Sequence, residues 1–582
     1  MATPNSPRGP RSPLARYAPL IAVVVVIAIV AVVIGIVHGN KKSNSASVTT
    51  NTNAQGQSTF SDVPIFYNEA KDKGTLAKYT WPNCDTATGL VAIPILEPPP
   101  CTPASSATAA PNGGATAPGV TASTIKIGYF IGKPDPTIDA LLHAAGAYDT
   151  PAATVQAFHD YTNIYQGVYN LYGRKVQLVQ LNGTGTSTDE VAAKADADQA
   201  AADGVFAVMG GPGQAQSFQA ELARKHILCV GGCVSVATQS TLAADTPYLW
   251  QTTPTPEQAA AISTEFIKKQ LVGKDAVFGG PAVKSQPRKF ALLSYDTPDG
   301  VYKAPWNTFY KDLQAAGAPT VGHISYFLNL ASLASDARTV ASKLKSTGAT
   351  TIVFTGDPIF PNYLTKAMTE QHYFPEWVMA GTILADTNVF ARTFDQQQWQ
   401  HAFGLQLIPA RVPKAQQDAY TLHQWWFGTP PSAQNSYAII KGEVELLMDG
   451  LHLAGPNLTP DTFRDGLYHA PPAATGTTLQ TITTYGNHGY WPGTDLSGLD
   501  NAGVLYWDPN AVGQDESGKV GKGMYRLVDG GVRYLPGHWP TTPIKLFDPA
   551  GTITIYPANQ IPAELLPKAI PVPADAPAAH KK

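Results

Sequence analysis

Residues 204–235 read GVFAVMGGPGQAQSFQAELARKHILCVGGCVS, and this stretch decides the fold. The run 205–209 is short, apolar and partly β-branched, and it stops at Gly210-Gly211-Pro212-Gly213. A helical pattern starts at Gln214, with Phe218 and Leu222 on one face. Residues 227–230 make a second apolar run of strand length, again ending on glycine at Gly231-Gly232. The whole reads as a compact β-α-β unit. Parallel strands joined in this way put their carboxyl ends on one edge of the sheet, where glycine lets a backbone approach a ligand and a helix start offers free N–H groups. Both turns, 210–216 and 231–235, are expected to face one crevice.

The same alternation extends outward. Residues 124–131, TIKIGYFI, read as a strand leading into the turn Lys133-Pro134-Asp135-Pro136, and 151–165 as a helix. Residues 175–181 alternate as a strand, and 189–202 form an Ala-rich helix. This βαβα order predicts a parallel sheet with helices on both faces. The GGPGQAQ turn lacks the third glycine of a dinucleotide fingerprint, does not follow the first strand, and is not a Walker A loop. Downstream the pattern restarts, with strands at 290–294, 323–327, 351–355 and 377–380 and helices at 306–316 and 332–347. Two of these strands end at Gly356-Asp357-Pro358 and Gly381-Thr382. Two α/β lobes are therefore expected, joined near 249–258. The stretch 437–451 is a further helix, and its Tyr437, Ile440, Val444, Leu447 and Leu451 form a stripe that reads as core alone. Beyond Pro471 the chain becomes Gly- and Thr-rich, with strand-like pieces at 503–507 and 524–528. The Pro/Ala tail 561–582 is expected to be disordered.

The chain has 582 residues, of which 44% are hydrophobic, enough for several domains with sizeable cores. Charged residues are only 14%, against about 25% in ordinary globular proteins, and the net charge is −3. No basic surplus is available to hold a phosphate backbone, so nucleic acid is not an expected partner. Residues 18–37, APLIAVVVVIAIVAVVIGIV, carry no charge, and at helical rise they span roughly the 30 Å of a bilayer core. We read 17–38 as one uncleaved transmembrane helix, because the apolar run exceeds a signal-peptide core and no A-x-A site follows it. Arg8, Arg11 and Arg16 place residues 1–16 in the cytoplasm and the large C-terminal part outside the cell.

The four cysteines form two local pairs, Cys84 with Cys101 and Cys229 with Cys233, and an exported chain meets an oxidising environment. Two disulfides are expected. The alternative for 229–233, half of a metal site, has no accompanying Cys/His cluster of zinc spacing, so neither metal nor cofactor is expected.

Two lobes of repeated crossings, with strand ends at GGPG, VGGC, TGDP and AGT behind an exported anchor, resemble the type I periplasmic binding proteins. Within that group the sequence is most similar to the leucine/isoleucine/valine-binding receptors of ABC transporters and their actinobacterial membrane-anchored relatives. The likeness covers about 124–540, and NCDTATGLVAIPILEPPPC with GGATAPGVTASTIKIG looks like the leader of such actinobacterial receptors. The resemblance implies an α/β fold of two doubly wound lobes joined by a hinge. A stalk at 39–59, a small disulfide-clipped segment at 60–101 and a linker at 102–123 precede it. Lobe one would be 124–253 plus 412–500, lobe two 254–411 plus 501–540, and 541–582 a C-terminal extension. Crossovers near 252–256, 409–413 and 499–503 would let the lobes close on a ligand.

The family's ligand contacts carry over by position. The turn after the third strand falls on Gly213 and Gln214, the turn after the fourth on Cys233, Val234 and Ser235, and Lys133 follows the first strand. In lobe two the aromatic contact falls near Asp357–Phe360, and the acidic residue that would pair with an amino group falls at Thr382. That departure, with Asp357 or Asp386 as possible substitutes, implies a small polar or amphipathic ligand other than a standard branched-chain amino acid. Each position also has a plainer use: Gln214 as a helix cap, Asp357 as a turn residue, Lys133 as a solvated charge, Cys233 in its disulfide.

The implied function is a solute-binding receptor with a membrane permease as partner. The alternatives are a surface sensor or interaction module with a vestigial site, or an enzyme. An enzyme has no foothold in HExxH, GxSxG, P-loop or paired C-x2-C patterns. The acidic stretch 508–516 could hold Ca²⁺ but lacks EF-hand spacing and reads as a solvated turn.

Overall fold

The computed structural model describes residues 62–104, 112–134, 139, 148–213, 215–233, 236–297, 300–329, 332–381, 384–407, 409, 412–472, 479–554 and 561–581. The expected cytoplasmic N-terminus, transmembrane helix 17–38 and stalk lie outside these residues, as do Gln214, Val234, Ser235 and Thr382. Among the described residues no helix is long and apolar enough to cross a membrane.

The first described segment carries a two-residue antiparallel pair, β1 (Cys84–Asp85) with β2 (Leu90–Val91), clipped by the disulfide Cys84–Cys101. Its Phe66, Val91, Ile93 and Ile95 are buried in the same core as Ile125, Ile127, Val444 and Leu447. The segment is thus packed into the first lobe.

That lobe is built on a wholly parallel sheet of β3 (Thr124–Ile131), β4 (Lys175–Asn182), β5 (Ala207–Met209), β6 (Leu228–Val230) and β7 (Leu249–Trp250), in the order β4-β3-β5-β6-β7. The helices between them start where the chain offers caps. Thr150 accepts from Ala153 N–H at the start of Pro151–Val168, and Asp189 accepts from Val191 and Ala192 N–H at the start of Glu190–Ala202. The next helix, Gln216–Arg224, turns Phe218 and Leu222 into the sheet, both fully buried. It starts two residues after Gln214, which lies outside the described residues.

The second lobe holds β8 (Phe290–Tyr295), β9 (Thr320–Tyr326), β10 (Thr351–Thr355), β11 (Glu376–Met379), β12 (Ala402–Gln406), β13 (Ala502–Gln514) and β14 (Val520–Leu527). They run in the order β14-β13-β12-β11-β10-β8-β9, with β15 (Arg533–Tyr534) beside β13. β8 to β12 are parallel, whereas β13, β14 and β15 pair antiparallel. β12, with the sequence AFGLQ, is wholly buried and has no polar alternation to announce it. At its centre Gly404 has φ +145°, and a methyl group there would stand 2.4 Å from the Met379 carbonyl oxygen, so only glycine lets β11 and β12 meet. A buried ion pair, Arg288 Nε to Glu376 at 2.8 Å, ties the start of β8 to β11. The Phe278 N–H and the Thr351 hydroxyl also donate to Glu376, at 3.0 and 2.8 Å, so this buried charge is fully met.

The chain leaves the first sheet after β7, returns before the helix Asp418–Phe427, and leaves again through 479–501 into β13. Between its last two passages the helices Asp418–Phe427, Tyr437–Leu453 and Pro460–His469 bury Leu422, Val444, Leu447, Leu451 and Phe463 in the first core.

Two stretches differ from their sequence reading. The tail, expected to be disordered, is docked on both lobes. Ile561 and Leu565 pack on the second core, while Val572 and Ala576 pack on the first. Between them Trp425 Nε1 donates to the Ile570 carbonyl at 2.9 Å, and Lys568 pairs with Asp85. A proline-rich chain has few N–H groups to satisfy, so spaced apolar side chains suffice to seat it. The acidic stretch 508–516 is strand and hairpin rather than a solvated turn. Asp508 pairs with Arg526 at 2.7 Å and Asp515 with Arg392 at 2.9 Å, while Glu516 accepts from the N–H groups of Asn388 and Val389 at 2.9 Å each. Among the described residues no group of His, Cys, Asp and Glu is arranged to hold a metal ion.

Candidate functional site

β5 and β6 end side by side, and each passes into glycine at positive φ, Gly210 at +70° and Gly231 at +82°. The disulfide Cys229–Cys233 clips the second turn, and Cys233 lies so close to Gly211 that a methyl group there would stand 2.9 Å from the Cys233 Cα. In the sequence reading these glycines let the protein backbone approach a ligand. Much of the room they leave is instead taken by a side chain, Glu443 of the helix Tyr437–Leu453. A methyl group at Gly231 would lie 2.5 Å from Glu443 Cγ, and one at Gly232 would lie 2.4 Å from Oε1. At Gly210 it would lie 3.4 Å from Oε2. Three glycines thus form a cradle around one carboxyl group.

The environment of that group is unusual. Burial pushes the Glu443 carboxyl up to about 8, and the N–H of Gly232 only partly offsets this. Solvent nevertheless reaches part of the side chain. Elsewhere on the same helix, Lys441 pairs with Asp418 at 2.7 Å and with Glu445, while Asp449 accepts from the Tyr169 hydroxyl at 2.8 Å.

The second lobe answers with an aromatic wall. The Tyr326 ring, at the end of β9, stacks on Phe360 with centroids 4.1 Å apart and planes 12° from parallel. Tyr295, at the end of β8, lies 5.9 Å from Tyr326 and 6.1 Å from Tyr302. The Tyr302 hydroxyl donates to the Val236 carbonyl of lobe one at 2.9 Å, so the lobes touch at the edge of the crevice.

Behind the crevice, the two outgoing crossings are bonded to each other. Tyr485 Oη donates to the Gln251 carbonyl at 2.8 Å, and Gln258 Nε2 donates to Asp495 Oδ1 at 2.7 Å. Asp500 accepts from the Thr484 hydroxyl at 2.7 Å and from Trp491 Nε1 at 2.9 Å. Among the described residues the second oxygen of Asp495 meets no N–H or O–H donor, and the Asp500 carboxyl interacts with its side chain. Burial, then the charge of Asp500, raises Asp495 far above the usual carboxylate range and favours its protonated form.

The residues singled out in the sequence are placed as follows. Gly213 lies in the β5 turn with φ +82°, and Lys133 is exposed just after β3. Asp357 turns inward: its Oδ2 accepts from Tyr326 Oη at 2.5 Å and its Oδ1 from the N–H groups of Ile359 and Phe360 at 2.6 and 2.9 Å. Burial raises this carboxyl, opposed by the Tyr326 hydroxyl and the N–H groups of Phe360 and Ile359. Its oxygens serve its own turn, so Asp357 does not stand in for an amino-binding acid at Thr382. Phe360 is fully buried and stacks on Tyr326, which is itself buried. Sequence reasoning missed Glu443, Tyr295, Tyr302 and Tyr326. For Glu443 a signal existed: a lone carboxylate between Ile440 and Leu447 on the sheet-facing stripe.

The family model described as periplasmic binding protein matches residues 143–490. None of the curated proteins matches the chain. Among solved structures, an ABC-transporter substrate-binding protein from Aeropyrum pernix is similar at 15% identity over 71% of this chain and 96% of that one, with a TM-score of 0.48. A solute-binding protein of an ABC transporter from R. palustris, in complex with 4-hydroxybenzoate, is 13% identical over 72% and 99%, with a TM-score of 0.44. The branched-chain amino acid transporter substrate-binding protein LivJ from Streptococcus pneumoniae, in complex with isoleucine, is 13% identical over 69% and 99%, also at 0.44.

Proposed function

The chain belongs to the periplasmic binding protein family, and on that premise we propose that it is a membrane-anchored extracellular receptor that captures a small polar or amphipathic solute between its lobes. Residues 17–38 anchor it in the bilayer, and an ABC-type permease receives the solute. The observation that carries the reading is the Tyr302–Val236 hydrogen bond at 2.9 Å, which joins the strand-end turns of the two lobes across the crevice. In a hinged pair of lobes such a contact favours the closed arrangement, which would enclose a solute between them. The crossings behind the crevice supply the hinge.

The test is native mass spectrometry of the full-length chain, extracted in mild detergent without denaturation. The expected result is a retained small molecule that is lost on mild denaturation and held less well by Tyr302→Phe. A chain that carries nothing and shows no compaction by X-ray scattering when incubated with a broad panel of polar metabolites refutes the receptor reading.

A further inference from the structure

We infer that Glu443 is the residue that selects the ligand, and that the group it selects is a protonated amine seated over the glycine cradle of lobe one. The inference rests on the receptor reading and deepens it. Three observations lead to it.

The first is the cost of the arrangement. A larger residue at Gly231 or Gly232 would press on Glu443, with contacts of 2.5 and 2.4 Å, and Gly210 stands at van der Waals distance from it, 3.4 Å. Space at the carboxyl ends of two central strands, where a backbone would otherwise meet a ligand directly, has been given to one acidic group. If the group served packing alone, an apolar side chain would fill the same stripe between Ile440 and Leu447 without any desolvation cost.

The second is the missing partner. Among the described residues no ion pair reaches Glu443. Lys441 of the same helix is committed to Asp418 and Glu445, and Lys133, at the end of β3, is exposed to solvent. Among the described residues the N–H of Gly232 is directed at the carboxyl, and burial raises its affinity for a proton. An ammonium group would bring such a carboxyl both a charge and up to three N–H donors.

The third is the opposite wall. Tyr295 is half-buried and packs beside the buried rings of Tyr302 and Tyr326, and an aromatic face of this kind favours a cation. Asp357 of lobe two is committed to Tyr326 and to its own turn. In this inference the carboxylate that position 382 lacks comes from lobe one, by a helix rather than by a strand-end turn.

The test uses the full-length chain in detergent with matched probes: 3-methylbutylamine and 2-phenylethylamine, each against the alcohol of the same carbon skeleton, with leucine as a third amine. Calorimetric titration is expected to detect binding of at least one amine and none of its matched alcohol. Glu443→Gln, which keeps the volume and the cradle contacts, is expected to weaken that amine about a hundredfold or more. Binding of an alcohol as tight as its amine overturns the inference and leaves the receptor reading standing, as does equal binding of the amine by Glu443→Gln. If no amine binds, the inference falls. If in addition native mass spectrometry finds no retained molecule, the receptor reading falls with it.

Discussion

The Tyr302 hydroxyl donates to the Val236 carbonyl at 2.9 Å, and this bond joins the two halves of the fold at the edge of the crevice. Val236 also packs on the second-lobe core that contains Tyr302, so the contact is apolar as well as polar. A single hydrogen bond of this kind contributes about 0.5–1.5 kcal/mol net, enough to shift a closed-to-open ratio by about threefold to tenfold. Tyr302→Phe is therefore expected to increase the radius of gyration in X-ray scattering while leaving the melting temperature of the isolated lobes almost unchanged. An unaltered scattering profile shows that closure does not depend on this bond.

Much of the scaffold was legible because its elements follow simple periods. β3 and β10 lie where the apolar runs 124–131 and 351–355 put them, and the helix starting at Tyr437 carries its stripe inward. Elements set by long-range pairing were less visible. β12 is short and wholly buried, and β13 extends through a stretch whose Asp508 and Asp515 suggest a turn until Arg526 and Arg392 are seen to neutralise them. The site was legible by half. The glycines marked where the crevice floor lies, but the side chain they accommodate comes from residue 443, more than two hundred positions away, and no local pattern links the two. For Asp357 the local signal was accurate in its plainer form, a turn residue before Pro358, and the side-chain geometry favours that use.

Asp357 accordingly has a structural consequence that can be measured. Asp357→Ala removes the acceptor for Tyr326 Oη and for two backbone N–H groups, and leaves the Tyr326 hydroxyl buried beside an alanine. Loss of a buried acceptor costs about 1–3 kcal/mol, so the variant is expected to melt several degrees lower. Amine affinity measured by calorimetry should change far less than with Glu443→Gln. A stable Asp357→Ala protein that no longer binds amines would place the carboxylate that pairs with the amine in lobe two.

The tail makes a second mechanical prediction. Ile561 and Leu565 are seated on one core and Val572 and Ala576 on the other, with Trp425 Nε1 bonded to the Ile570 carbonyl between them. Truncation after residue 560 exposes the surfaces they cover, and each buried aliphatic side chain contributes about 1.5–3 kcal/mol when fully covered. The shortened chain is expected to unfold at lower urea concentration, by about 2–5 kcal/mol in total, and to let the lobes separate more widely in scattering. Lys568→Ala tests the polar end of the same contact. Its pair with Asp85 is largely exposed on the lysine side, so little loss of stability is expected there.

The raised carboxyls of Asp495 and Asp500 set a pH dependence. Asp495 is pushed up to about 9, by burial first and by the charge of Asp500 second, while Asp500 is raised less, by burial against the hydroxyl and indole donors around it. Carboxyls whose folded values are raised bind more protons in the native than in the unfolded state, so their contribution to stability is complete below the unfolded value near 4 and is lost as pH rises towards 9. Across that window each extra native-state proton lowers stability by about 1.4 kcal/mol per pH unit. Because Gln258 binds Asp495 and Thr484 binds Asp500, the loss falls on the junction between the two outgoing crossings. Asp495→Asn keeps the oxygen that Gln258 meets and, as a neutral donor to Asp500, reproduces the protonated state. Thermal melts from pH 5 to 9 are expected to show wild type weakening toward pH 9 and Asp495→Asn weakening much less, the two curves converging near pH 5. Parallel curves across the range would place the titration elsewhere.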